Sequence, residues 1–295
     1  PEFVDPKMPL SIFKFCTSFI GDNDLRSLSE ESQITGLKNL QELRLQNNNI
    51  TDISSETFNG LISLRILNVS YNNLQIVPEG TFTNTKELRE IYLNNNLLFE
   101  LLSSSHIDGS TFIGLIRLVI LNLSNNGLTR IDGKAFKDLF FLQILDLRNN
   151  SIGYIEENTF LPLYNLHTLN LAENRLHTID ELLFNGLFVL SKLNLNNNLL
   201  INIDPKAFKN CSDLKELDLS SNQLTQVPNA IWELSQLKTL DLGENQITDI
   251  KNGSFKNLDQ LTGLRLIDNL IGNLSTHCFT LCHCCDYVAC DCQMT

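Results

Sequence analysis

The sequence predicts an α/β-type solenoid: a curved horseshoe with a parallel β-sheet on its concave face, about eleven repeats and a mostly irregular or short-helical convex side. Three observations predict it. Asparagine returns at Asn48, Asn72, Asn96, Asn126, Asn150, Asn174, Asn198, Asn222, Asn245 and Asn269, at intervals of 24, 24, 30, 24, 24, 24, 24, 23 and 24 residues. An apolar frame, LxxLxLxxNxL, travels with it, as Leu40, Leu43, Leu45 and Ile50 in the first unit and Leu261, Leu264, Leu266 and Ile271 in the last. A phenylalanine stands six residues ahead of the next unit's first leucine at Phe58, Phe82, Phe112, Phe136, Phe160, Phe184, Phe208 and Phe255, with Ile231 taking that place in the 23-residue unit.

This frame is the leucine-rich-repeat signature. A degenerate unit with Phe15, Ile20, Asn23 and Leu25 precedes the regular ones. In each unit the alternating LxL reads as a short strand whose leucines face the core while the residue between them faces out. One coil cannot bury its apolar face alone, so coils stack and their strands form a parallel sheet. The asparagine follows the strand at a buried turn. An unpaired amide there would cost a few kcal/mol, so its NH2 and carbonyl are expected to bond backbone groups of its own and the adjacent coil. A phenylalanine copied at fixed register fills the convex side of the core. The longer interval between Asn96 and Asn126 holds six extra residues within Leu98–Thr111, including Ser103, Ser104, Ser105, His106 and Gly109. Such composition favours a surface loop, either a tolerated bulge or a ligand-contacting loop.

The unbroken period makes residues 10–277 one elongated solenoid, with flanking residues 1–9 before it and a cysteine-rich cap, 278–295, after it. Six of the eight cysteines, Cys278, Cys282, Cys284, Cys285, Cys290 and Cys292, lie in that cap. A solenoid end exposes the edge of its core, and disulfides closing it suit an oxidising compartment. Fifteen connectivities are possible for three bridges. The alternative is zinc, because His277 and His283 sit among the thiols, although the spacing is not that of paired CxxC knuckles. Leu274, Phe279 and Cys282 fall where convex-side residues of another coil belong, which favours the cap. Cys16 and Cys211 lie too many coils apart to bridge each other and are expected to include a buried thiol. No apolar run of 18 residues occurs to span a membrane, and no signal-peptide pattern opens the chain.

Nothing in the sequence carries catalysis: there is no nucleophile elbow, phosphate loop, HExxH or paired-carboxylate motif, and no cofactor or metal is expected. A formal net charge of −12 and a pI near 4.8 disfavour nucleic acid and anionic membranes as partners and favour a basic or neutral protein. The surface offered for binding is the concave sheet, through the residues flanking the inward leucines. Towards the N-terminal side these are Arg44, Arg65, Tyr71, Arg89 and Tyr92, a basic and aromatic set of the kind enriched at binding hot spots. Further along come Asp146, Arg148, His167, Glu173, Lys192, Lys215, Glu216, Asp218, Lys238, Asp241, Glu244, Arg265 and Asp268, and the competing reading is that most are ordinary solvated sheet residues. Seven N-x-S/T sequons mark Asn49, Asn68, Asn122, Asn149, Asn210, Asn252 and Asn273 for N-glycosylation. Asn68 and Asn122 occupy the outward x of LxL, so glycans there would obstruct the early face and leave the stretch from Asp146 to Glu244 accessible.

Several segments resemble the ectodomains of insect-type Toll receptors of the long subclass. They are LQILDLRNNSIGYIEENTFLPLYNLHTLNLAENRLHTID, LFNGLFVLSKLNLNNNLL, FKNCSDLKELDLSSNQL and FKNLDQLTGLRLIDN, and the tail CHCCDYVACDCQMT is similar to the cysteine-rich segment between repeat blocks of those receptors. The resemblance is strongest over residues 137–295. It implies the extracellular, ligand-recognising part of a single-pass cell-surface receptor. The ligand implied is a cystine-knot cytokine of the Spätzle type or another surface protein, acting in immunity, development or adhesion, with dimerisation on binding. It also implies more repeats and a second cysteine cap ahead of the tail, and it carries over no individual contact residue. The runner-up is an adhesion or soluble decoy module of the same repeat.

Overall fold

The computed structural model describes residues 16–28, 33–99, 111–275 and 288–289. The serine-rich part of the insertion, flanking residues 1–9 and the cap cysteines lie outside the described residues. The chain divides into two compact units, residues 1–127 with 134–140 and residues 128–133 with 141–295. The first holds β1 (Thr17–Phe19), β2 (Glu42–Arg44), β3 (Ile66–Asn68), β4 (Glu90–Tyr92) and β5 (Ile120–Asn122). The second holds β6 (Arg130–Ile131), β7 (Ile144–Asp146), β8 (Tyr154–Ile155), β9 (Thr168–Asn170), β10 (Thr178–Ile179), β11 (Lys192–Asn194), β12 (Asn202–Ile203), β13 (Glu216–Asp218), β14 (Thr239–Asp241), β15 (Asp249–Ile250), β16 (Gly263–Arg265), β17 (Asn273–Leu274) and β18 (Val288–Ala289).

Each unit is a stack of leucine-rich coils around a parallel sheet, as the period predicts. In the first, β1 to β5 pair in chain order, with Leu43, Leu67, Ile91 and Leu121 as register partners. In the second, β7, β9, β11, β13, β14, β16 and β18 do the same through Leu145, Leu169, Leu193, Leu217, Leu240 and Leu264. These central residues are buried while their strand neighbours are half-buried or exposed. Parallel strands need a crossover to return the chain to the same end, and here the rest of each coil supplies it.

The ladder asparagine makes the bonds its burial demands. Asn174 donates from Nδ2 to Leu147 O at 3.0 Å, Leu171 O at 3.1 Å and Ala172 O at 3.0 Å, and its Oδ1 accepts from Ile152 N at 3.0 Å. Leu147 and Ile152 belong to the preceding coil, so the ladder is directional: each amide ties its coil to the one before. The six-residue insertion leaves it intact, because Asn126 still donates to Leu93 O and still accepts from Leu98 N, both at 3.1 Å. The 23-residue unit keeps it as well, Asn245 reaching Leu219 O at 3.0 Å. There the missing residue is taken up by a 3-10 turn over Asn229–Glu233, with Ile231 buried in the phenylalanine's place.

The phenylalanines stack within each unit. Ring centroids are 6.1 Å apart for Phe58–Phe82 and for Phe82–Phe112 in the first, and 6.4 and 5.8 Å apart for Phe160–Phe184 and Phe184–Phe208 in the second. All eight are fully buried. The far side of the second unit is more regular than predicted. β6 pairs with β8, β10 with β12 and β15 with β17, all parallel. Ile131, Ile155, Ile179, Ile203 and Ile250 are the buried second residues of these two-residue strands. Helix is confined, among the described residues, to 3-10 turns at Gln33–Gly36 and Asn229–Glu233, and no helix there is long and apolar enough to cross a membrane. Cys211 is fully buried, and burial pushes its thiol up to about 12, whereas Cys16 is exposed. One of the two is thus the buried thiol expected.

Truncating the two ladders should be felt unequally. Asn174→Ala strands several buried backbone groups and is expected to cost about 1–3 kcal/mol. Phe184→Ala opens a cavity between two stacked rings and is expected to cost about 3–5 kcal/mol. Chemical denaturation of both variants checks the order, and equal midpoints for the two variants and the parent would show the ladders to be idle.

Candidate protein-binding face

Because the middle residue of each three-residue strand after β1 is buried, the first and third face out. In the second unit they enclose a hollow of about 590 Å³ over β9, β11, β13, β14 and β16. Its walls carry Thr168, Lys192, Glu216, Thr239 and Gly263 from the first positions and Asn170, Asn194, Asp218, Asp241 and Arg265 from the third. Lys192 pairs with Glu216 at 2.8 Å and Arg265 with Asp241 at 3.5 Å. The Lys192–Glu216 pair is solvent-exposed and contributes about 0–1 kcal/mol to stability, whereas Asp241 of the second pair is half-buried.

The third position has a local role that sequence reading missed. Asn68, Asn122, Asp146, Asn170, Asn194, Asp218 and Asp241 each accept, through Oδ1, the backbone N–H two residues on, at 2.8–3.1 Å. These Asx turns end the strand and lead the chain into the ladder turn. The signal was present as an Asn or Asp at that register in most units, hidden by the reading of each as a separate surface residue. The turn engages one carboxylate oxygen, and the second oxygen of Asp241 meets Arg265 at 3.5 Å.

The next special position is the residue before the ladder asparagine. It is left-handed in every regular unit, with φ between 50° and 55° at Asn47, Tyr71, Asn95, Asn125, Asn149, Glu173, Asn197, Ser221, Glu244 and Asp268. Asparagine tolerates this conformation well; other side chains do so at a cost. Tyr71, Glu173, Glu244 and Asp268 were read from sequence as part of the concave sheet. The structure places them instead in the turn beyond it, because the strand closes at its third residue.

The other candidates divide by position. Lys192, Asp218 and Asp241 line the hollow, and Asp146 holds the equivalent third place in β7. His167 and Lys215 precede β9 and β13 and are exposed; His167 Nδ1 lies 2.8 Å from Asn165 O. Arg148 follows β7 and sits 3.9 Å from Glu173. In the first unit Arg44 and Tyr92 end β2 and β4, and exposed Arg65 and Arg89 precede β3 and β4. The neutral wall residues Thr168, Asn170, Asn194, Thr239 and Gly263 were overlooked because only charged and aromatic side chains were followed along the repeat. Cys278, Cys282, Cys284, Cys285, Cys290 and Cys292 lie outside the described residues, as do the histidines of the zinc alternative. Among the described residues no group of three or more metal-ligating side chains gathers.

Electrostatics in the hollow lean negative. Burial raises the Asp241 carboxyl above its ordinary value; the N–H of Gly243 and the Arg265 charge oppose this, and Asp218 and Glu244 add to it. Asp218 and Asp241 are register partners on adjacent strands. Burial likewise raises Asp146, against the hydrogen bond from the Arg148 N–H.

Comparison with known proteins agrees with this geometry. The leucine rich repeat profile matches residues 38–98, 103–152, 141–200, 188–247 and 235–285. The chain belongs to the leucine-rich-repeat family. It is 60% identical over 277 residues to Toll-like receptor 7 of Drosophila melanogaster, covering 87% of this chain and 19% of that receptor, so it spans about a fifth of the relative's length. Over most of its length the sequence is similar to the leucine-rich-repeat region of a Toll-type receptor. Fibromodulin of Sus scrofa is 35% identical over 107 residues, 36% of this chain and 69% of that one. The solved TLR13–ssRNA13 complex superposes with a TM-score of 0.76 at 29% identity, over 83% of this chain and 35% of that one.

Two substitutions test this account of the face. Glu173→Asn should be neutral or mildly stabilising, whereas Glu173→Val should cost about 1–2 kcal/mol for the left-handed turn; equal melts for the two would remove the conformational explanation. Asp241→Asn keeps the turn's acceptor and removes a charge. The folded-state pKa of Asp241 lies above its unfolded value, so the folded chain gains stability below the ordinary 3.8 and loses it as pH rises through the folded pKa. Asp241→Asn should therefore melt above the parent at pH 7 and together with it near pH 3, as read by calorimetry at the two pH values.

Proposed function

We propose that this chain is a ligand-recognition segment from the extracellular part of a single-pass Toll-type receptor, and that it binds a protein through the hollow of its second unit. The observation that carries the reading is the hollow itself: five adjacent strands turn polar, mixed-charge side chains into one concavity whose lining contains no sequon asparagine. A ligand of the Spätzle cystine-knot type, or another cell-surface protein, suits a wall with both signs of charge, and binding in immunity or development with receptor dimerisation follows from the family resemblance. A polyanion suits it poorly. Three carboxylates against two cations in the lining, and −12 overall, would repel a phosphate backbone, even though the structurally similar TLR13 was solved with single-stranded RNA.

Sedimentation velocity of the chain with a panel of Spätzle-type cytokines tests this. A defined complex is expected, weakened at least about tenfold, or ~1.4 kcal/mol, by Asp218→Lys at the centre of the hollow. A complex indifferent to Asp218→Lys would move the site off this face, and no complex with any member of the panel would overturn the ligand class.

A further inference from the structure

The outward face of the first unit differs in kind from the hollow of the second. On β3, β4 and β5 the third positions are Asn68, Tyr92 and Asn122, direct register partners. Tyr92 therefore has a sequon asparagine on either side, each one strand spacing of about 4.8 Å away. The first positions flanking Glu90 on the same face are Ile66 and Ile120, both half-buried. Apolar side chains thus lie on the solvent side of the sheet beside the two sequons, where the walls of the hollow carry Thr, Lys, Glu, Thr and Gly.

Both asparagines are held alike. Asn68 Oδ1 accepts from Ser70 N at 3.0 Å and from Ser70 Oγ at 2.7 Å, and Asn122 Oδ1 accepts from Ser124 N at 3.0 Å and Ser124 Oγ at 2.8 Å. Two donors on each Oδ1 fix the amide plane, and no described bond of either asparagine uses Nδ2. The same serine thus completes the sequon and locks the amide. Tyr92 is fixed too, its hydroxyl donating to Glu90 Oε2 at 2.9 Å, so the ring is ordered before any partner arrives.

We infer that Asn68 and Asn122 both carry N-glycans and that their first sugars pack on the platform of Tyr92, Ile66 and Ile120, shielding this face. In the transfer, Nδ2 bonds to the anomeric carbon of a lipid-diphosphate-linked oligosaccharide. The C1–O bond to the diphosphate breaks, the lipid diphosphate leaves, and one amide proton is lost to solvent. Oδ1 and the remaining N–H survive, so the Asx turn re-forms on folding. The apolar face of a pyranose ring suits a tyrosine that is apolar in body and polar at its tip, and the sugars cover isoleucines otherwise left to water. The first unit is then a protected surface and not a second binding face.

This inference rests on the extracellular reading only in that the chain must pass the glycosylating compartment. Secreting the full 295-residue chain from mammalian cells behind a foreign signal peptide supplies that passage directly. Glycopeptide mapping should find Asn68 and Asn122 occupied. Native digestion with peptide-N-glycosidase F should release both glycans ~3-fold faster from Tyr92→Ala than from the parent, and at the parent's rate from Tyr92→Phe, which keeps the ring. If Tyr92→Ala is not secreted, the Ile66→Ser, Ile120→Ser double variant gives the same readout. An unmodified asparagine at either site, or release rates indifferent to these variants, would overturn the inference while leaving the cytokine-binding reading untouched. Glycans absent from every sequon of the chain isolated from its native tissue would instead count against the extracellular reading itself.

Discussion

The structure depends on one side chain doing a backbone's work. A coil of 24 residues with a three-residue strand leaves a buried turn after each strand, where main-chain groups face neither water nor a second sheet. The ladder asparagine supplies what a longer strand would have supplied: donors to two coils and an acceptor for the coil behind. No other side chain combines two donors and an acceptor at that reach; aspartate lacks the donors and serine lacks the span. One donor bond and the accepted bond cross to the preceding coil, so a change in coil length matters only if it moves the asparagine relative to its neighbour. That is why six extra residues and one missing residue are both absorbed elsewhere in the coil.

With leucine, asparagine and phenylalanine positions committed to the interior, few positions remain for function, and the structure narrows them again. Of the outward residues on a strand, the third commonly serves its own turn, and the residue before the ladder asparagine is bound to a left-handed backbone. A carboxylate such as Asp218 is structural through Oδ1 and available through Oδ2. The outward face of the sheet is built from the unused halves of side chains that the fold already needs.

What could be read from sequence follows from the same logic. The asparagine, leucine and phenylalanine ladders were legible because each is a buried residue type repeated at fixed register, and burial is what restricts residue choice. The isoleucines at 131, 155, 179 and 203 also repeat at 24, and they went unread because strands of two residues have no alternation to reveal them. The Asx turns and the left-handed position were hidden for another reason: they depend on backbone angles that several residue types can satisfy, as Tyr71, Glu173 and Ser221 show. The candidate face was legible as a list of outward positions. It could not be divided into strand, approach and turn until the third residue was seen to end the strand.

The two units show how far a uniform coil can be turned to different ends. β4 and β13 are interchangeable in their buried residue, isoleucine or leucine, and in length. Their outward pairs are Glu90 with Tyr92 and Glu216 with Asp218. On the readings proposed above, a tyrosine between sequon asparagines suits sugar, while an aspartate between asparagine and aspartate suits a polar partner. Neither choice disturbs the asparagine ladder behind it, because the side chains that differ never enter the core. Separating the residues that hold the coil from those that face the solvent lets the outward surface vary without the fold having to be solved again, and it is also why membership of the leucine-rich-repeat family names no ligand.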